Sequence, residues 1–170
     1  MLTRKWISIV ITKANTDYFL SYINNVLEPA RKEFLFLIKN NEVKLHHAYS
    51  FNAILAHAID YMVFIINKIK KVERSVFVKE FDDKFRVEGS IHINNKFRLL
   101  DAVNNSFKHV ELDRARYSEL IKFYGNLSFN CLKEDAGKIF FVMPNFRFDY
   151  CRVVLRPISA IFLCGLESVS

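Results

Sequence analysis

Residues 46–70, HHAYSFNAILAHAIDYMVFIINKIK, decide the fold class. Phe51, Ile54, Leu55, Ala58, Met62, Ile65, Ile66 and Ile69 recur at steps of three and four, the period that lines apolar groups along one broad face of an α-helix. Neither Gly nor Pro interrupts the run. Its most apolar part, Ala53 to Ile66, holds His57 and Asp60; a charge at mid-bilayer would be costly, so the segment reads as a core helix and not a membrane span. Lys68, Lys70 and Lys71 then place positive charge at the negative end of the helix dipole.

Working outward, Asn15-Thr16-Asp17 offers N-cap groups, and Phe19, Tyr22, Ile23, Val26, Leu27, Ala30, Phe34, Leu37 and Ile38 keep helical spacing up to an Asn40-Asn41 stop. Pro29 lies inside this helix, where a missing N–H and a crowded ring predict a kink or two shorter helices. Ahead of it, Trp6 to Thr12 fits a short strand or a lead-in to the first helix. Arg4-Lys5 followed by Trp6 to Ile11 resembles the start of a signal peptide, but the apolar stretch is too short, which predicts no export. Downstream, Phe77, Phe81 and Phe85 at steps of four predict a helix over 75–85, ended near Gly89.

A further helix is predicted from Asn94 or Asn95 to about Leu112, with Leu99, Leu100, Val103, Phe107 and Val110 facing inward and Asp101, Asn104, Asn105, Lys108 and His109 facing out. After Gly125 the period becomes two: Leu127, Phe129 and Cys131 alternate with polar residues, 133–138 form a turn, and Ile139 to Met143 make a second run, together a β-hairpin. Helical spacing returns from Asp149, with Pro157 kinking the last helix or opening it. The expected fold is one domain over 1–170, mainly α, a four- to five-helix bundle with a small β-hairpin before the C-terminal helix.

Composition agrees. With only 4 Gly and 3 Pro among 170 residues, turns are few and elements long, and 17 Phe supply ample core volume. Cys131, Cys151 and Cys164 form no C-x-x-C pair, so reduced thiols in a cytoplasmic protein are expected, without a disulfide framework or zinc knuckle. A phosphate-cradling glycine loop, a nucleophile elbow and an H-E-x-x-H motif are all missing from the sequence. His46, His47 and His57, with Asp60 beside His57, resemble DinB-like metal bundles around 54–57, but that family's paired histidines one helical turn apart are missing, and neither metal nor cofactor is expected. The net charge of +7 gives a general attraction to polyanions.

The richest chemistry lies on the 94–112 helix. Asp101, Asn105 and His109, spaced by four, would rise in one row beside Asn104 and Lys108, a surface able to hold a phosphate or to poise a histidine against a ribose hydroxyl. The plain alternative is the solvated side of an amphipathic helix. The string from Leu100 to His109 resembles an aspartate, asparagine, lysine, histidine pattern in bacterial and phage helical-bundle proteins of unassigned function and, more remotely, the HEPN family. HEPN ribonucleases carry an arginine, a polar residue and a histidine four to six residues beyond the arginine. His109 and Asn105 match the last two places, while Asn104 stands where the arginine belongs, so Arg98 or Lys108 would have to stabilise the attacked phosphate.

This resemblance implies a protein that binds RNA or another polyanion in a bacterial defence or toxin–antitoxin setting. Its catalytic pair would be His109 and Asn105, its polyanion contacts Asp101, Asn104, Lys108 and Arg98, and any activity that of a metal-independent ribonuclease. The alternative of a different class is a non-catalytic protein-interaction module, a homodimer or the partner of another protein, supported by aromatic residues in excess of one core's needs.

Overall fold

A computed structural model describes residues 16–68, 70–85, 94–109 and 112–167. The strand-or-helix question at Trp6 to Thr12, the stop near Gly89 and the core position given to Val110 lie outside those residues. The chain is mainly α, with a small antiparallel sheet before the last helix.

The first helical run consists of α1 (Thr16–Tyr22), a wide turn over Ile23–Leu27, and α2 (Glu28–Asn40). The wide turn is how the chain accommodates Pro29. The Glu28 N–H reaches back five residues to the Ile23 carbonyl, a π-type bond that loosens the turn where the proline ring would crowd the ladder. The same device recurs near the other end: Cys151–Leu155 form a wide turn in which the Arg156 N–H bonds the Cys151 carbonyl, and Pro157 follows at the start of α7 (Arg156–Glu167). Neither proline ends its helical run. The two runs meet where Arg31 Nε donates to Ser159 Oγ at 3.3 Å, each residue two places past its proline.

Asn41, in the left-handed conformation at φ 54°, stops α2. The long apolar segment forms α3 (Leu45–Asn67), followed by α4 (Arg74–Lys84), α5 (Lys96–His109) and the short α6 (Ser118–Tyr124), which the sequence pattern does not anticipate. Among the described residues α3 is the one helix long and apolar enough to cross a membrane, yet 56% of its most apolar window is buried inside the protein, as in a core helix.

The hairpin is present and carries a third strand: β1 (Leu132–Asp135), β2 (Lys138–Met143) and β3 (Phe146–Asp149) pair in that order. Its first strand begins later than the alternation at 127–131 suggests. Phe129–Cys131 instead form a 3-10 turn, in which Ser128 Oγ accepts the Asn130 N–H at 3.3 Å. Leu127, just ahead of the turn, and Cys131 at its end are both buried.

One apolar cluster joins the helices and the sheet, from Ile23 and Leu27 through Leu55, Leu100, Leu120 and Phe141 to Ile158. It encloses a polar link between distant elements. Tyr150 OH donates to Asn52 Oδ1 at 2.6 Å, and Asn52 Nδ2 donates to the Leu100 carbonyl at 3.2 Å, so both buried groups are satisfied.

The sheet docks through its tight turn. Ala136 and Gly137 have φ of 47° and 69°, the two-residue turn that suits hairpin twist, and the Val43 N–H donates to the Gly137 carbonyl at 3.0 Å. A Cβ on Gly137 would sit 1.5 Å from the Asn41 carbonyl oxygen. Gly137→Ala is therefore expected to destabilise by about 2 kcal/mol or more. Urea unfolding checks this, and an unchanged midpoint would refute the docking role.

Candidate functional site

Helix α5 carries the expected site, and its surroundings change along its length. Lys96, Phe97, Leu99 to Val103 and Ser106 are buried, because its first two turns pass between α3, α4 and the wide turn before α7. The last turns emerge. A single apolar arc cannot describe a helix enclosed at one end and half free at the other, and two placements are corrected accordingly. Asp101, expected outside, is only 4% exposed, and Phe107, expected in the core, is 53% exposed.

The Asp101 carboxylate, removed from water, needs donors, and it has four. Oδ1 accepts Arg74 Nε at 2.9 Å and Nη2 at 2.7 Å. Oδ2 accepts Arg116 Nη2 at 2.7 Å and Tyr117 OH at 2.8 Å. Arg74 also pairs with Asp60 on α3, so the cluster ties α3, α4, α5 and the chain entering α6. Burial, reinforced by the neighbouring Asp101 charge, raises the Tyr117 pKa and keeps its hydroxyl a donor.

One turn further along, Asn105 Oδ1 accepts the Asp113 N–H at 3.4 Å. The row of polar residues thus receives the returning segment 112–117. It does not line a shared recess. Asn104 and Asn105 are half-buried, while Lys108 and His109 stand exposed on the last turn. Asp101 and His109 are separated by eight helical residues, roughly 12 Å, so they do not meet at one reacting centre.

Arg98 is engaged elsewhere: Nε donates to Asp82 Oδ2 at 3.2 Å, Nη1 to Glu119 Oε2 at 2.6 Å, and Nη2 to Asn95. Asp82, projecting from α4, also caps α5 by accepting the Phe97 N–H at 2.8 Å and the Arg98 N–H at 3.1 Å. Burial pushes the Asp82 carboxyl up to about 6, against the pull of those donors.

Two hollows flank α5. A cleft of about 250 Å³ opens over the Asp101 cluster, where Ser75, Lys79, Arg116 and Ser118 supply polar groups. A wider groove of about 840 Å³ lies on another side, lined by Leu45, His46, Tyr49, Ser50, Ala53 and Phe107. Glu134 closes one end, holding Lys44 Nζ at 2.9 Å and the Leu45 N–H at 3.1 Å. The Phe107 ring stacks on Tyr49 with centroids 4.6 Å apart and planes at 16°.

Among the described residues no three His, Cys, Asp or Glu side chains gather as a metal ion would require. The His46 and His47 rings lie 4.0 Å apart, tilted at 57°, His57 is exposed, and Asp60 faces Arg74. Burial pushes the Cys131 and Cys151 thiols up to about 12, so neither supplies a thiolate at neutral pH.

Sequence reasoning missed Arg74, Arg116 and Tyr117. The nearest signal was Arg114-Ala115-Arg116-Tyr117, a short basic run just after the helix that carries Asp101. Compared with known proteins, the chain matches no family model, no curated protein and no solved structure.

Replacing Asp101 by Asn leaves two arginines without their shared anion and is expected to cost about 3–5 kcal/mol. Denaturant unfolding measures it, and a loss below about 1 kcal/mol would contradict the clamp. Asp82 carries a pH signature. Its folded pKa lies above its unfolded value, so its stabilising contribution is complete below about pH 4 and is lost as pH rises through 6. The stability advantage of wild type over Asp82→Asn should therefore shrink across that interval, and a pH-independent difference would count against it.

Proposed function

We propose that the chain is a HEPN-like helical protein that binds RNA in a bacterial defence or toxin–antitoxin setting, and that it binds without cleaving. The observation that carries this reading is the path of segment 112–117. It folds back along α5, with its Asp113 N–H on Asn105 and its Arg116 on Asp101, and so adds Arg114 and Arg116 to a helix whose last turn exposes Lys108 and His109. Lys79 lines the cleft that Arg116 enters. Among the described residues Lys79, Lys108 and Arg114 enter no ion pair, leaving their charge available to phosphates.

Cleavage is left out for a chemical reason. A ribonuclease needs a cation opposite its histidine, and Arg98, one of two candidates for the missing arginine, is spent on Asp82, Glu119 and Asn95. Lys108 remains, a point charge without the bidentate fork. Fluorescence anisotropy with a labelled RNA oligonucleotide tests the proposal. Wild type should bind with strong salt dependence, and Lys108→Glu with Arg114→Glu should weaken binding at least tenfold and lower the salt slope by about 2. His109→Ala should leave RNA intact, as wild type does. Absence of binding at low salt, or cleavage that depends on His109, would overturn it.

A protein-interaction module is the second reading, favoured by the apolar groove beside Phe107. Light scattering on a size-exclusion column separates the two, since that reading requires a stable dimer or a captured partner.

A further inference from the structure

We propose that the groove lined by Tyr49 and Phe107 receives an unpaired nucleobase, so that the RNA bound is single-stranded; this rests on the RNA-binding reading above. Phe107 is more than half exposed on a helix whose preceding turns are enclosed, and the Tyr49 ring lies nearly parallel beneath it at 4.6 Å. One aromatic face is thus backed by a second ring, which holds Phe107 as a platform for stacking.

The chemistry around the platform suits a nucleotide. Leu45 and Ala53 give apolar walls, while Ser50 and His46 place hydrogen-bonding groups where the edge of a base would reach. The groove, about 840 Å³, falls within the ordinary range of ligand sites. Lys108 follows Phe107 directly and is exposed, and Glu134, the one carboxylate lining the groove among the described residues, is already paired with Lys44 and the Leu45 N–H. A phosphate backbone therefore passes the rim without repulsion while its base lies on Phe107. A duplex cannot do this, because its bases are already stacked and paired.

The test uses the whole chain and a labelled mixed-sequence 12-mer RNA, single-stranded or annealed to its complement. Anisotropy is read at fixed salt for wild type, Phe107→Ala and Phe107→Trp, with melting temperature as the check on folding. The expected result is single-strand binding at least tenfold tighter than duplex, weakened about 5- to 50-fold by Phe107→Ala and restored by Phe107→Trp, with duplex affinity changed less than about twofold. Equal affinity for both RNAs, or a folded Phe107→Ala with full single-strand affinity, would overturn the base site while leaving RNA binding standing. If wild type binds neither RNA, both proposals fall. A dimer that Phe107→Ala dissociates would then assign the groove to a protein partner.

Discussion

A carboxylate taken out of water must be met by donors, and Asp101 is met by two arginines and a tyrosine drawn from separate parts of the chain. Arg74 comes from the start of α4 and shares itself with Asp60 on α3, while Arg116 and Tyr117 come from the segment that leaves α5. Removing any one partner would leave charge stranded in a partly apolar setting, so the cluster fixes position more than it adds net stability. Its main consequence is the course of residues 112–117. Drawn onto Asp101 and Asn105, that segment lies along α5 and carries Arg114 and Arg116 with it.

Much of the fold can be read in the sequence because helical period is a local signal. The predicted runs at 46–70, 75–85 and from 94 or 95 correspond to α3, α4 and α5, with ends displaced by a few residues. Pro29 and Pro157 were recognised as disturbances, but the wide turns that absorb them depend on bonds one residue longer than usual, which no apolar spacing reveals. Helix α6 is only seven residues long, too short to show a period. The displaced first strand has a different cause: the alternation of apolar and polar residues at 127–131 reads as a strand, but the Ser128 side chain takes up the Asn130 N–H and closes a 3-10 turn there.

The site was legible in its residues and not in its geometry. Asp101, Asn105 and His109 do lie on one side of a helix, as their spacing requires, but a charged residue on a helix is ordinarily turned to water. Only partners distant in the chain overrule that habit. Arg74 lies 27 residues before Asp101 and Arg116 lies 15 after it, so no local pattern links them. Phe107 is the mirror case, an aromatic residue assigned to the core by spacing and left outside because the enclosing elements stop one turn earlier.

Together these two inversions divide α5 in two. Its enclosed half organises the chain around a buried anion, and its emergent half leaves Lys108 exposed beside a stacked aromatic pair, the feature on which the proposed binding of unpaired bases rests. The most direct test of the whole scheme is a double-mutant cycle in denaturant unfolding, with Asp101→Ala, Arg116→Ala and the pair combined. A coupling energy of about 1–3 kcal/mol is predicted, since each residue loses its value without the other. Additivity within about 0.3 kcal/mol would contradict it, because segment 112–117 would then be held to α5 by something other than this buried charge.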